Sequence, residues 1–188
     1  MPNALPALAR AALADVARVL DAMPPDAAEP LIAAILAAKR IALHGLGREG
    51  LQMKGLAMRL YHLGLDAHVV GDMTTPPVGA GDLLIVSTGP GDLGSIAALM
   101  NRVKADGAKL AVVTSQAEGG AARRADTVLV IPAQTMASDL GGGPKSVLPM
   151  GSLFEAAMML VFEALVLDLR ARRGESAEAM RARHTNLE

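Results

Sequence analysis

Two glycine-bearing stretches hold the residues best placed for chemistry. The first, Gly45-Leu46-Gly47-Arg48-Glu49-Gly50, has the spacing G-x-G-x-x-G. Between a strand and a helix, such glycines let backbone N–H groups approach an anion at the helix N-terminus. Asp72 lies at the distance where a dinucleotide-binding turn places its ribose-binding acid. One reading of the turn is therefore a small dinucleotide-binding domain. The other is a tight turn that needs glycine for geometry alone. The second stretch, Thr88-Gly89-Pro90-Gly91-Asp92, also follows an apolar run and opens a helical pattern. Two such turns can aim N–H groups at one shared anion or hydroxyl-rich ligand. Arg48 stands where it can meet that anion, and Thr88 adds a hydroxyl.

Other titratable groups lie farther along the chain. Glu155 is placed at the start of a very apolar helical stretch. Apolar burial raises a carboxyl pKa and a helix N-terminus lowers it, so the residue reads either as a poised base or as a first-turn acid favouring the helix dipole. His62 closes a helical pattern, where a histidine also favours the dipole. His184 lies in the tail segment RHTNLE, which either packs or reaches a neighbouring subunit. Arg59 reads as a solvated arginine.

The elements that must position these groups alternate. Helices are predicted over Leu5–Met23 and Ala27–Ala38, separated by Pro24-Pro25. Strands are predicted at Arg40–His44, Asp66–Val70, Asp82–Ser87, Lys109–Thr114 and Thr127–Ile131. Helices follow at Leu51–Leu63, Ser95–Ala105 and Gly119–Arg124. A long loop, Pro132–Pro149, leads to a terminal helix over Met150–Leu169 and a tail. Short Ile/Leu/Val strands alternating with helices indicate a parallel sheet covered on both faces, an α/β three-layer sandwich with an N-terminal helical extension. In such sheets ligands bind beyond the carboxyl ends of the strands, which here are Gly45–Gly50, Gly71–Pro77, Ser87–Leu93 and Thr114–Glu118, the last opening on Thr114 and Ser115. No internal repeat or low-complexity linker interrupts the pattern.

Composition narrows the function. Aromatic residues make up 2% of the chain, so a surface that stacks bases is nearly ruled out and the core must be aliphatic. The formal net charge is -1 with no basic run, which gives nucleic-acid binding no support. Cysteine is absent, which removes disulfides, thiolate chemistry and Cys-based zinc sites, and fits a cytoplasmic protein. The N-terminal segment is interrupted by Arg10, Asp15 and Arg18 and lacks the form of a signal peptide. Met150–Leu169 is long enough to span a bilayer, but Glu155, Glu163 and Asp168 argue against it. A helix so apolar all round is expected to be buried twice, in its own core and against another subunit. No membrane, metal or cofactor is expected.

The segments GLGREG, AMRLYHLG, VVGDMTTPP, GDLLIVSTGPG, MGSLFE and RHTNLE together resemble the 6-phospho-3-hexuloisomerases, proteins built on a sugar isomerase (SIS) domain. They stand in that family's order from about Arg40 to Glu188. The resemblance implies one SIS domain over 1–188, with N-terminal helices to 39, an α/β core over 40–174 and a tail over 175–188. It implies a five-stranded parallel sheet, a homotetramer, and sugar-phosphate sites built partly across subunits. The activity it implies is isomerisation between a 3-ketohexose 6-phosphate and fructose 6-phosphate through an enediolate. Glu155 is then the base, with His62 and His184 near the substrate. Gly47, Arg48, Glu49, Arg59, Thr88, Gly89, Gly91, Asp92, Thr114 and Ser115 are then the binding groups. A non-catalytic SIS module that binds a sugar derivative is the alternative.

The phosphate-binding turns depart from the family's pattern. Glu49 stands where that family has serine, and Pro90 and Leu93 replace a serine and a threonine. Two unit charges at ~4 Å repel by ~4 kcal/mol at an effective dielectric near 20. Lost hydrogen bonds to a charged group cost a further ~1.5–3 kcal/mol each. The turns are therefore expected to hold a phosphate poorly, giving weak activity or a changed substrate.

Overall fold

The computed structural model describes residues 4–139 and 145–187. Part of the expected Pro132–Pro149 loop, residues 140–144, lies outside the described residues, as do both chain ends. The chain opens with α1 (Leu5–Asp21) and α2 (Glu29–Ala37). It continues with β1 (Ile41–His44), α3 (Gly47–His62), β2 (Ala67–Val69), β3 (Leu83–Ser87), α4 (Gly94–Ala105), β4 (Lys109–Thr114), α5 (Gly120–Arg124) and β5 (Thr127–Val130). The long α6 (Ser152–Arg173) and a short α7 (Ala177–Ala182) complete it. The helix α7 lies in what the sequence presents only as a tail. Ser176 caps it, accepting the N–H of Ala179.

All strand pairings are parallel and the order is β2-β1-β3-β4-β5, as expected for a five-stranded α/β sheet. Every residue of β3 is buried, because helices cover both faces of the sheet. Alternate strand residues feed two cores. Ile41, Leu43, Leu83, Ile85, Ala111 and Val113 pack with α1, α2, α3 and α6. Ala42, Leu84, Val86, Leu110 and Val112 pack with α4 and Ala121 of α5. The strand order departs in opposite directions from β1, to β2 on one side and β3 on the other. The crevice at the carboxyl ends of β1 and β3 is therefore the switch point where such sheets take ligands.

One boundary matters for the site. The apolar period starts at Leu51, yet α3 starts at Gly47, whose φ is +56°. That backbone turn, open to glycine at little cost, carries Arg48 and Glu49 into the first helical turn instead of a preceding loop. At the other end of the path, α6 starts after Gly151 (φ +81°) and stops at Gly174 (φ +63°). One side of α6 is buried through Leu153, Phe154, Met158, Phe162 and Leu165, while Met159, Leu160 and Leu167 are exposed. No described helix is long and apolar enough to cross a membrane.

Candidate active site

The first and third strands bring the two glycine turns together. Met53 packs under Gly45, and a Cβ on Gly50 would come within 2.6 Å of the Gly45 carbonyl oxygen. Glycine at position 50 is thus demanded by the packing of α3 on β1, which explains that glycine without a nucleotide. Asp72 lines a groove with Lys54, Tyr61 and His68 beyond the β2 edge.

Glu49 reaches from the first turn of α3 to the end of β3. Its Oε2 accepts the Ser87 hydroxyl at 2.5 Å and the Gly89 N–H at 3.0 Å, and its Oε1 accepts the same N–H at 3.2 Å. Gly89 permits this approach: a Cβ there would lie 2.8 Å from the Phe154 ring and 2.9 Å from Glu49 Oε1. Ser87 is fully buried and also contacts Met158 Sδ at 3.3 Å. The sequence offers only one signal for it, a hydroxyl ending an otherwise aliphatic strand.

Glu155 sits in the first turn of α6, 2.9 Å from Arg48 Nε. The same guanidinium donates to Ser152 Oγ at 2.9 Å and to the Met150 carbonyl, so it fastens the start of α6 to the start of α3. The Glu155 side chain is 15% exposed. Burial holds its carboxyl above the ordinary glutamate range; Arg48 opposes that shift and the nearby Glu49 charge adds to it. The raising effect of burial expected from the sequence is present, and the group that opposes it is Arg48. His44, which sequence reasoning does not single out, ends β1 at the same edge, and burial pushes its pKa down.

The remaining expected residues divide into two groups. The hydroxyls of the second turn face their own backbone: Thr88 donates to the Gly91 carbonyl and Ser115 to the Gly89 carbonyl at 2.8 Å, while Thr114 accepts the Gln116 N–H at 3.0 Å. Asp92 turns outward to Arg124 at 3.0 Å, Gly91 holds φ +107°, and Gly47 makes the turn into α3. Arg59, His62 and His184 lie elsewhere in the same chain. Arg59 grips Glu163 through two bonds of 3.0 and 3.1 Å. His62, 8% exposed, stacks on His184 with ring centroids 5.3 Å apart. The rise of α3 puts them ~20 Å from the Glu155 end. One chain therefore does not bring the two histidines to the carboxylates.

The profile of the SIS domain family matches residues 34–160. The chain belongs to the SIS domain family. It is 36% identical over 132 residues to the 3-hexulose-6-phosphate isomerase of Bacillus subtilis, covering 70% of this chain and 71% of that one. It is 39% identical over 132 residues to the enzyme of the same name from Mycobacterium gastri, covering 70% and 65%. Among solved structures, a hypothetical protein superposes with TM-score 0.85 at 27% identity, covering 97% of each chain. A Methanococcus jannaschii protein, whose structure infers the function of a 3-hexulose-6-phosphate isomerase, gives 0.80 at 24%, covering 96% and 97%. The Vibrio vulnificus NanR protein complexed with ManNAc-6P gives 0.75 at 16%, covering 97% and 67%, and shares the fold.

Proposed function

We propose that this SIS-family chain is a sugar-phosphate isomerase that interconverts a 3-ketohexose 6-phosphate and fructose 6-phosphate, with Glu155 as the base. The observation that carries the reading is Glu155 itself. It is a half-buried carboxylate of raised proton affinity at the switch-point edge of the sheet, held by Arg48, in a family whose named relatives are isomerases of this substrate class. In the reaction the carboxylate takes a proton from the carbon beside the ketone. The C–H electron pair forms the C2=C3 bond, and the carbonyl oxygen becomes the oxyanion of an enediolate. A proton passes between the two oxygens, and Glu155, whose proton can exchange with solvent in the meantime, delivers a proton to the former carbonyl carbon. A raised pKa suits both halves, since the base must take one proton and give one back near neutral pH.

The site residues group as a base end, with Glu155, Arg48, Gly47, Glu49, Gly89, Gly91, the backbone-facing Thr88, Thr114 and Ser115, and Asp92 turned to Arg124, and a histidine end with His62, His184 and Arg59. In this reading His62 and His184 serve the Glu155 of a neighbouring subunit, as proton carriers between the enediolate oxygens. Support comes from the exposed apolar Met159, Leu160 and Leu167 on α6 and Leu51, Met58 and Tyr61 on α3, two helices in contact. The assembly is a homotetramer of single SIS domains spanning 1–188, and its place is the cytoplasm. Light scattering that shows a monomer at micromolar concentration would remove this part.

Glu155→Gln tests the base. The amide keeps the shape and can still bond to Arg48, but it accepts no proton. Turnover should fall ~10²–10⁴-fold with the melting temperature preserved. Retention of more than about a tenth of the rate would show that another group is the base. A second reading, a non-catalytic module that binds a sugar derivative, is favoured by the Glu49 contacts. It requires sugar-dependent thermal stabilisation with no turnover by the unmodified chain.

A further inference from the structure

The donors at the switch point are already occupied. In the crevice between β1 and β3, the Gly89 N–H and the Ser87 hydroxyl converge on one point, and a carboxylate stands there. That carboxylate belongs to the chain itself. The neighbouring donors are committed as well: Thr88 to the Gly91 carbonyl, Ser115 to the Gly89 carbonyl, and the Gly91 N–H to the Thr88 carbonyl at 3.1 Å. Pro90 supplies no N–H. Arg48, the cation nearest in sequence, is engaged by Glu155, Ser152 and the Met150 carbonyl.

We propose that Glu49 is an internal competitor for the substrate's phosphate, and that it sets the chain's preference between phosphorylated and neutral sugars. The inference rests on the sugar-phosphate isomerase reading and deepens it. An anion held by two cross-loop donors is what a phosphate at this point would be, so a phosphate binds only after the Glu49 side chain rotates out of the cradle. Left in place, Glu49 sets a negative charge against the incoming dianion. A neutral sugar meets no such conflict, because its hydroxyls can donate to the same carboxylate. Glu49 does not act as a mere first-turn acid, since its carboxylate bonds across 38 and 40 residues of chain to the end of another strand. The steric fit is close, with a Cβ on Gly89 falling 2.9 Å from its Oε1.

The test is calorimetry on the full chain with fructose 6-phosphate and with fructose, for the unmodified protein, Glu49→Ser and Glu49→Gln. Glu49→Ser should bind fructose 6-phosphate at least about tenfold more tightly, equivalent to ~1.4 kcal/mol, while its affinity for fructose stays level or falls. Glu49→Gln, which keeps the size and drops the charge, should lie between the two and serves if Ser destabilises the fold. An unchanged ratio of the two affinities in both variants overturns the inference, as does an equal gain for both sugars. If the unmodified chain turns over the phosphorylated substrate and neither variant binds it better, the isomerase reading stands and the competitor falls alone. If neither sugar binds any of the three proteins, the isomerase reading fails and the competitor fails with it.

Discussion

The helices α3 and α6 lie side by side and point the same way, and their two ends are built on opposite terms. At the amino ends Arg48 meets Glu155 at 2.9 Å, and Glu49 meets Ser87 and Gly89. At the carboxyl ends Arg59, Arg170, Arg181, His62 and His184 gather around a cavity of about 330 Å³. Helix dipoles favour Glu49 and Glu155 at the amino ends and the basic groups at the carboxyl ends, but Arg48 stands against the dipole of α3 and is held by its bonds to Glu155, Ser152 and the Met150 carbonyl. They do not account for the closeness of the contacts. The amino ends are tied across loops and hold a carboxyl above its ordinary range, whereas the carboxyl ends, though Arg59 is paired with Glu163, gather basic groups around an open cavity. Proton transfer needs a base held in place, and a site shared between subunits needs a wall left open. Under the proposed function, the amino ends serve the first demand and the carboxyl ends the second.

The comparison is broken most strongly at Arg48. Arg48→Met removes the countercharge of Glu155 and the tie to Ser152 and Met150. Glu155 is then left with burial and the Glu49 charge, both of which raise its pKa. The base must be ionised to act, so the acid limb of the pH–rate profile should move to higher pH. At a pH below the new limb, each unit of movement costs about tenfold in rate. An acid limb that stays where it is would show that Arg48 does not govern the base. The stability contribution of Glu155 has the opposite sense: it is present below the ordinary glutamate value of 4.5 and lost as pH rises through the raised folded value. Glu155 thus costs stability where it is ionised, which is the form the proposed base must take.

A smaller effect is expected at Asp15, which supports the amino end from behind. This acid, 7% exposed on α1, accepts the Ser146 hydroxyl at 2.5 Å and the Val147 N–H at 2.9 Å, and pairs with Arg18. It thereby fixes the segment that leads into α6. The Ser146 hydrogen bond, helped by Val147 and Arg18, holds its carboxyl below the ordinary aspartate value of 3.8 against the opposing pull of burial. Its stabilisation is therefore present above that value and is lost as pH falls through the lower folded one. Asp15→Asn should lower stability by ~1–3 kcal/mol at neutral pH and by less in strong acid, as read by denaturant unfolding at both. An equal loss at both pH values would contradict the charge-based account.

The smallest effect belongs to the open end. The Arg59–Glu163 pair is 30% and 43% exposed at its side chains, so water screens it. Glu163→Ala should cost only ~0.2–1 kcal/mol in the isolated chain. If it also weakens the oligomer in sedimentation while leaving the monomer's stability intact, the open wall is an interface. A loss of several kcal/mol would show that the carboxyl ends are as tightly built as the amino ends.

Much of this contrast is legible in the sequence, and the part that is not has a common cause. Aliphatic strands such as DLLIVS indicate the parallel sheet, and the two glycine turns mark the edge where the site lies. Hydrophobic period places helix starts but is silent about polar first turns, so it leaves Arg48 and Glu49 in a loop. From sequence, Glu49 is a group that repels phosphate. The structure shows that it also consumes the donors a phosphate needs, a relation that depends on bringing β1 beside β3. Ser87 and Asp15 escape a sequence reading for the same reason: a lone polar residue in an apolar run gains its meaning from a partner 38 or 131 residues away. The family resemblance puts His62 and His184 near one substrate together. Their distance from Glu155 follows from the length of α3 and not from any local motif.

The most direct test follows one proton. In D2O, fructose 6-phosphate incubated with the unmodified chain should lose its C3–H signal in the NMR spectrum as the enediolate exchanges with solvent. The account predicts that this exchange falls ~10²–10⁴-fold in Glu155→Gln at equal folded protein. Exchange that proceeds undiminished in Glu155→Gln, or never occurs with the unmodified chain at saturating sugar phosphate, would contradict it.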